Sequence, residues 1–507
     1  MATADGDLPA TPARDAVGIA VDLGSSGGRL YRGRLAAGAL TLVEVHRFAN
    51  APVHVHDRWY WDILGIWREV QDGLAAAGVA ELPAVTIGID SFGVDYGLLD
   101  RSLGLLAPVR CMRDTRTAGL HARIYQTVPA EHLYRRTGAM EISINTLVQL
   151  VAEQRDQPWL LAAAATLLFV PDLIAWCLTG VRGTEATIAS TSQFFDPVRR
   201  DWATDVLRAL DLPANILPPV VEPGTRIGPV LPDLARRLGL PADSLVVATA
   251  SHDTAAAFAA APLDGTRSAA IISLGTWALL GRERATPNLS EASRRANFSN
   301  EAGVGGGIAY HKILMGLWLL QEAQRRWQAE QPGLDAAALH DLAAAQPKLA
   351  HLFDPDDAGF VAPRDMLDSI AAWFRARALP APDSIGATVR AIYDSLALSY
   401  RRALLALEQL EGARIDIVHV VGGGARAPVL CQAIADATGR AVVAGPEEAA
   451  VLGNLIGQFV ATGAIAGFAA GRALVARSFP PTEYQPRDSV AWSAAAGRFA
   501  SLSFTGD

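Results

Sequence analysis

The stretch "AVGIAVDLGSSGGRLYRGRL", residues 16–35, decides how this chain is read. An apolar run reaches Asp22, a turn of Gly24, Ser25, Ser26, Gly27 and Gly28 follows, and alternation resumes after Arg29. Apolar runs on both sides of a small-residue turn predict a β-hairpin. Glycines let backbone N–H groups approach an anion without a Cβ in the way, and the Ser25 and Ser26 hydroxyls add donors. A plain tight turn uses the same residues, so this stretch alone leaves both readings open.

The same grammar returns in "SAAIISLGTWALLGRE", residues 268–283, with Gly275 and Thr276 at the turn. The two hairpins lie about 250 residues apart, and such an echo predicts two similar halves facing each other. The expected division is a leader at 1–16, a first domain at 17–262, a second at 263–474 and a surface tail at 475–507. A third small turn, Gly422-Gly423-Gly424, sits between strand and helix patterns in "VHVVGGGARAPVLCQAIADATG". None of the three is a Walker A loop, because the chain has no GxxxxGK[ST], and none is a Rossmann fingerprint. Three such turns in one chain, two of them on matching hairpins, favour a nucleotide over three unrelated turns.

Composition bounds the partners. The chain has 507 residues, 50% hydrophobic and 19% charged, with a formal net charge of -8. That is a folded chain too long for one core, with no basic footprint for nucleic acid. Cys111, Cys177 and Cys431 are far apart and lack CxxC partners, so neither a disulfide framework nor a zinc site is expected. The first residues have no basic start or apolar h-region, so a flexible leader and a cytoplasmic location are expected. The apolar segment "LLAAAATLLFVPDLIAWCLTG", residues 160–180, is broken by Pro171-Asp172 and predicts a buried helix pair rather than a membrane span.

Carboxylates follow. Asp253 interrupts "VVATASHDTAAAF", residues 246–258, where an apolar run turns into an alanine-rich helix pattern. It reads as a helix N-cap or as a catalytic base at a strand-to-helix junction. Asp22 ends a strand beside a phosphate-like turn, where it would repel phosphates unless a cation lay between, which points to Mg²⁺ held through water. Asp90 and Asp95 flank "SFGV", and Arg113, Asp114 and Arg116 share a loop; both sets read as ligand contacts or as local turn and salt-bridge residues.

In this order, "AVDLGSSGGRL", "IGIDSFGVDYGLLD", "INTLVQL", "ASHDTAAAF", "SLGTWALLG", "MGLWLLQE" and "VHVVGGGARAP…VVAGPEEAAVLGN" resemble the FGGY carbohydrate kinases over roughly residues 17 to 466. The resemblance implies an α/β fold of two actin-like, ribonuclease H-like domains with ATP and sugar in the cleft between them. It implies transfer of the ATP γ-phosphate to a ketose hydroxyl, O1 of L-rhamnulose on the nearest pattern within the family, with Asp253 as general base. Gly93, His252, Asp253 and Thr254 would line the sugar. Ser25, Ser26, Gly27, Arg29, Thr276, Gln321, Gly423 and Gly424 would face ATP, and Asp22 would lie toward Mg²⁺. Two positions depart from the family: Ile313 stands where a sugar-binding asparagine is usual, and Phe92 where a tryptophan is usual. A lost hydrogen bond to a buried hydroxyl costs about 1–3 kcal/mol. The departures therefore keep L-fuculose or a xylulose open as substrate, and a non-catalytic ATP or sugar sensor is the remaining alternative. The sequence does not set the oligomeric state.

Overall fold

Ile19, Ala20, Val21 and Leu23 are all fully buried, the mark of a strand covered on both faces. The computed structural model, which describes residues 15–502, makes this strand β1 (Ala16–Leu23). It returns antiparallel as β2 (Gly27–Ala36), which pairs antiparallel with β3 (Ala39–Ala49). With β4 (Thr86–Ser91), β5 (Thr225–Pro229) and β6 (Leu245–Ala248) they form a six-stranded sheet in the order β5-β6-β4-β1-β2-β3. β4 runs parallel to both β1 and β6, and helix α1 (Asp253–Ala260) follows β6.

The second hairpin is β7 (Ala269–Leu274) and β8 (Trp277–Arg284). β9 (Ser299–Ala302), β10 (Ile308–Met315), β11 (Ile417–Val421), β12 (Ala441–Ala444) and β13 (Thr482–Tyr484) extend it to seven strands in the order β9-β10-β8-β7-β11-β12-β13. The two sheets repeat strand for strand. β5-β6-β4-β1-β2-β3 corresponds to β13-β12-β11-β7-β8-β10, and every pairing keeps its direction. The echo between the two hairpins was the visible part of this repeat.

Helices α2 (Ile385–Glu411) and α3 (Pro428–Thr438) pack on the second sheet. The sequence punctuates α2 at both ends: the Ser384 hydroxyl accepts from Ala387 N–H, and Gly412 stops it at φ 65°. α4 (Ala449–Thr462) does the opposite of what its chain position suggests. It lies across α1, β1 and β4 of the first sheet. Glycines permit this approach: a Cβ on Gly453 would sit 1.8 Å from the Ala256 carbonyl oxygen, and one on Gly457 2.5 Å from Thr249 Oγ1.

Two expectations change. Residues 160–180 hold the strand Thr166–Phe169 between helices Pro158–Ala163 and Val170–Thr179, not a helix pair. The β-branched and aromatic run there pairs with Tyr96–Leu99. The stretch from 475 onward, expected as a surface tail, supplies edge strand β13 and helix α5 (Ser489–Leu502). Trp492, Ala495 and Phe499 recur at helical spacing and bury into the second core. The expected leader, up to residue 14, lies outside the described residues. Among the described residues no helix is long and apolar enough to cross a membrane, and the three cysteines are free.

The glycine contact yields a test. Gly453→Ala forces α4 off α1 and should lower stability by about 1–3 kcal/mol despite alanine's better helix propensity. A chemical denaturation curve with an unchanged or raised midpoint would contradict the tight crossing.

Candidate active site

β1, β4 and β6 are parallel, so their C-terminal ends open at one edge of the first sheet. Asp22 and Asp90 are register partners there, both buried. Ser91 bridges to His252, and Ser91 N–H donates to the Ser251 carbonyl at 2.9 Å, which lays the Ser251–Asp253 segment beside the end of β4. Glu185 holds that segment from behind. Its carboxylate accepts from Ser251 N–H at 3.0 Å and from the Thr187 hydroxyl, and that hydroxyl accepts from His252 N–H at 3.0 Å.

Asp253 is not the cap of its helix. His252 occupies the N-cap position, no side chain caps α1, and Asp253 is the first helical residue. Its carboxylate accepts from the Thr254 hydroxyl at 3.2 Å and lies 3.5 Å from His252 Nε2, with 36% of the side chain open to solvent. Burial raises its pKa, His252 pulls it back, and Asp22 adds to the rise. Asp90 is raised well above the usual carboxylate range by burial first and by Asp22 next. Its Oδ2 accepts from Asn454 Nδ2 of α4 at 2.6 Å, while Oδ1 has no partner.

The first turn sits beside these carboxylates. Gly24 N–H donates to the Gly27 carbonyl, and Asn50 ties the turn by donating to the Gly24 carbonyl, both at 2.9 Å. The Ser26 side is exposed. Arg29 is already engaged: one nitrogen lies 2.5 Å from Asp22 and another 2.6 Å from Glu448, just before α4. Glu448 also holds Arg426 of the glycine turn at 2.8 Å. This carboxylate therefore links the first hairpin to the third small turn.

On the second sheet, the Thr276 hydroxyl donates to Gln321 Oε1 at 3.1 Å, which joins two of the residues expected to face ATP. A Cβ on Gly316 would come within 2.5 Å of the Trp277 backbone, so the chain can pass this turn only as glycine. Gly424 packs on Leu274 at the end of β7, whereas Gly423 faces open space. Gly275, Thr276, Gly423 and Gly424 thus share one end of the second sheet, because β7 and β11 are parallel. Among the described residues no hydrogen bond or ion pair joins the Ser25–Gly27 tip to Thr276 or Gln321.

The remaining candidates divide. Gly93 turns against Thr191, whose hydroxyl accepts from Val94 N–H at 3.0 Å. Ile313 is half-buried on the same face of β10 as His311. Phe92 is buried against Trp61, with ring centroids 4.5 Å apart, so it belongs to the first core. Asp95 is a structural anchor: it accepts from Trp61 Nε1, Gln149 Nε2 and Met112 N–H, and burial pushes its pKa up to about 6. Asp114 likewise accepts from Trp59 and Arg116 N–H and pairs with Arg110. Sequence reading passed over Glu448, Asn454, Glu185 and Glu301, because a lone acid or amide in a helical or strand pattern carries no local signal.

Asp22, Asp90 and Asp253 raise the local negative charge, and the buried Asp90 Oδ1 has no partner. Among the described residues no group of three or more His, Cys, Asp or Glu could cage a metal ion. The donor set fits a Mg²⁺ that keeps waters and phosphate oxygens as ligands, and not one bound by protein alone.

Comparison with known proteins accords with this geometry. Residues 19–259 match the N-terminal domain, and residues 270–462 the C-terminal domain, of the FGGY family of carbohydrate kinases. A rhamnulokinase of Bacteroides thetaiotaomicron is 37% identical over 94% of this chain and 97% of that protein. One of Yersinia pestis (strain Pestoides F) is 38% identical over 96% and 98%. In fold, the ligand-bound xylulose kinase from Lactobacillus acidophilus superimposes with a TM-score of 0.77 at 14% identity, covering 96% of this chain and 97% of that one.

The Asp90–Asn454 contact yields a test. Asn454→Ala removes the donor that Asp90 has among the described residues and should cost about 1–3 kcal/mol. A denaturation midpoint equal to that of the unaltered protein would show that Asp90 does not depend on α4.

Proposed function

Because the chain belongs to the FGGY family of carbohydrate kinases, we propose that it transfers the γ-phosphate of ATP to O1 of L-rhamnulose, with Asp253 as general base. Sugar phosphorylation at the expense of ATP is the family's activity. The sugar, the residue roles and Mg²⁺ are the further reading.

The observation that carries it is the state of Asp253. It heads a helix it does not cap, is partly open to solvent, and has one imidazole and one hydroxyl as neighbours. A carboxylate so placed is free to take the proton of a sugar hydroxyl. As the proton moves to Asp253, the sugar oxygen forms its bond to the γ-phosphorus and the bond to the ADP oxygen breaks. His252, Thr254 and Gly93 flank the sugar side, and Ile313 shares the β10 face that carries His311. Ser25, Ser26, Gly27 and Arg29 from one half, and Thr276, Gln321, Gly423 and Gly424 from the other, bound the nucleotide side. Mg²⁺, approached by Asp22, would offset phosphate charge. The protein's own work is positioning, water exclusion and proton acceptance.

A second sugar is favoured by Ile313, whose apolar side chain stands where the family pattern has an asparagine. It cannot hydrogen-bond a hydroxyl, so L-fuculose or a xylulose is the alternative acceptor. A panel of ketoses with coupled ADP detection decides. L-Rhamnulose should give the highest kcat/KM, and turnover of another ketose without any of L-rhamnulose would replace the proposed substrate.

Asp253→Asn tests the base. The amide keeps size and polarity but cannot take a proton. Since Asp253 caps nothing, the melting temperature should stay near that of the unaltered protein while kcat falls at least about 10²-fold. Near-normal turnover would remove Asp253 from the chemistry.

A further inference from the structure

Behind Asp253 lies a line of ionisable groups that the transfer step does not use. His252 Nε2 faces Asp253 Oδ1 at 3.5 Å, and His252 Nδ1 lies 2.9 Å from Oε2 of Glu301. The same Oε2 lies 3.2 Å from Nε2 of His311. All three of these inner groups are buried, and His311 is completely so. Glu301 Oε2, His252 Nδ1 and both His311 ring nitrogens have no hydrogen-bond partner among the described residues. What they have is one another at ion-pair distance.

The line also crosses the molecule. His252 belongs to the junction between β6 and α1 of the first half, whereas Glu301 sits on β9 and His311 on β10 of the second sheet. β9 is pinned to the first half by Ala302 N–H donating to Ser190 Oγ and Asn300 N–H donating to the Gly138 carbonyl, both at 2.9 Å. Glu301 is thus held at a fixed place behind the imidazole.

We propose that Glu301 is a positioning residue for the base: its carboxylate, brought in by the second sheet, keeps His252 in the cationic form with Nε2–H turned toward Asp253 and the sugar. The inference rests on Asp253 being the base. A neutral His252 with its proton on Nδ1 would present a lone pair to the Asp253 carboxylate, which is repulsive. A cationic one presents a donor and holds that carboxylate ionised against burial.

The charged neighbours agree in sign. Burial opposes charge on His252, but Glu301, Asp253 and Glu185 outweigh it and raise its pKa. Burial likewise opposes charge on Glu301, and His311 and His252 outweigh it, holding that carboxyl well below its usual range. Around Asp253, His252 favours the ionised form, while Asp22 opposes it and Asp90 stands beside them. Removing the Glu301 charge should therefore lower the His252 pKa, raise that of Asp253, and shift the acid limb of activity upward.

Histidine-selective ¹³C NMR on the full chain reads the first step directly, with His252→Gln assigning the signal. Without ligands His252 should titrate above the ordinary imidazole range, and Glu301→Gln should lower its midpoint by at least about one pH unit, tenfold in its ionisation constant. In the kinase assay, Glu301→Gln should lose about tenfold in kcat/KM at pH 6.5 and under about threefold at pH 8.5, where less of the imidazole is protonated in either protein. Glu301→Asp, which keeps the charge, should recover most of the loss. A His252 midpoint at or below the ordinary imidazole value in the unaltered protein, an unmoved midpoint in Glu301→Gln, or an equal loss at both pH values overturns the proposal. If Glu301→Gln does not fold, the unaltered titration and Glu301→Asp decide. Failure of the base itself is seen separately, as turnover by Asp253→Asn, and leaves the His252 titration unaffected.

Discussion

The rest of the structure depends on one crossing, Gly453 of α4 against the Ala256 carbonyl of α1. α4 comes from the second half of the chain, yet it and its leading acid touch the first hairpin, the glycine turn, the Asp253 helix and Asp90. Its leading acid, Glu448, holds Arg29 and Arg426. One turn later Gly453 fixes the distance to the helix that Asp253 begins. Asn454 then reaches Asp90, and Gln458 donates to the Ile19 carbonyl of β1. A side chain at the crossing would push all of these contacts out together, because interiors packed at crystal-like density transmit displacement rather than absorb it.

Charge is distributed by the same logic. Asp22, Asp90, Asp253 and Glu448 gather where two sets of parallel strands end, and Arg29 is the cation in direct contact with two of them. Arg29 is thus taken up by carboxylates from both parts of the chain. Behind this cluster, Glu185 and Glu301 lie against the His252 segment.

Much of this was legible in the sequence, for physical reasons. Both hairpins, the glycine turn and the Asp253 junction are local patterns, in which apolar periodicity changes at small residues. The strand Thr166–Phe169 was hidden because a four-residue apolar run between helices has no periodicity of its own. Helix α5 was read as part of a Pro/Ser-rich surface tail, although Trp492 and Phe499 stood at helical spacing. The partners of the site residues were out of reach for another reason. Asn454 lies 364 positions from Asp90, and Glu448 lies 419 from Arg29. Such pairs exist only once the sheets are assembled, and although Glu448 and Asn454 stand in a stretch that resembles the family, nothing in it names their partners. Phe92 shows the converse: a departure from the family pattern that looked like a change in the site is a ring in the first core.

The placement of α4 also has a consequence for how the chain is made. The first sheet and α1 are complete by Ala260, but the helix that covers their apolar face ends at Thr462. About 200 residues must be synthesised in between, on the order of 10–40 s at typical ribosomal rates. Throughout that interval Ala20, Tyr31, Leu35 and Phe258 have no α4 to pack on. The first half is thus a domain that waits for its own lid, exposed longest during translation and closed only when the second half arrives.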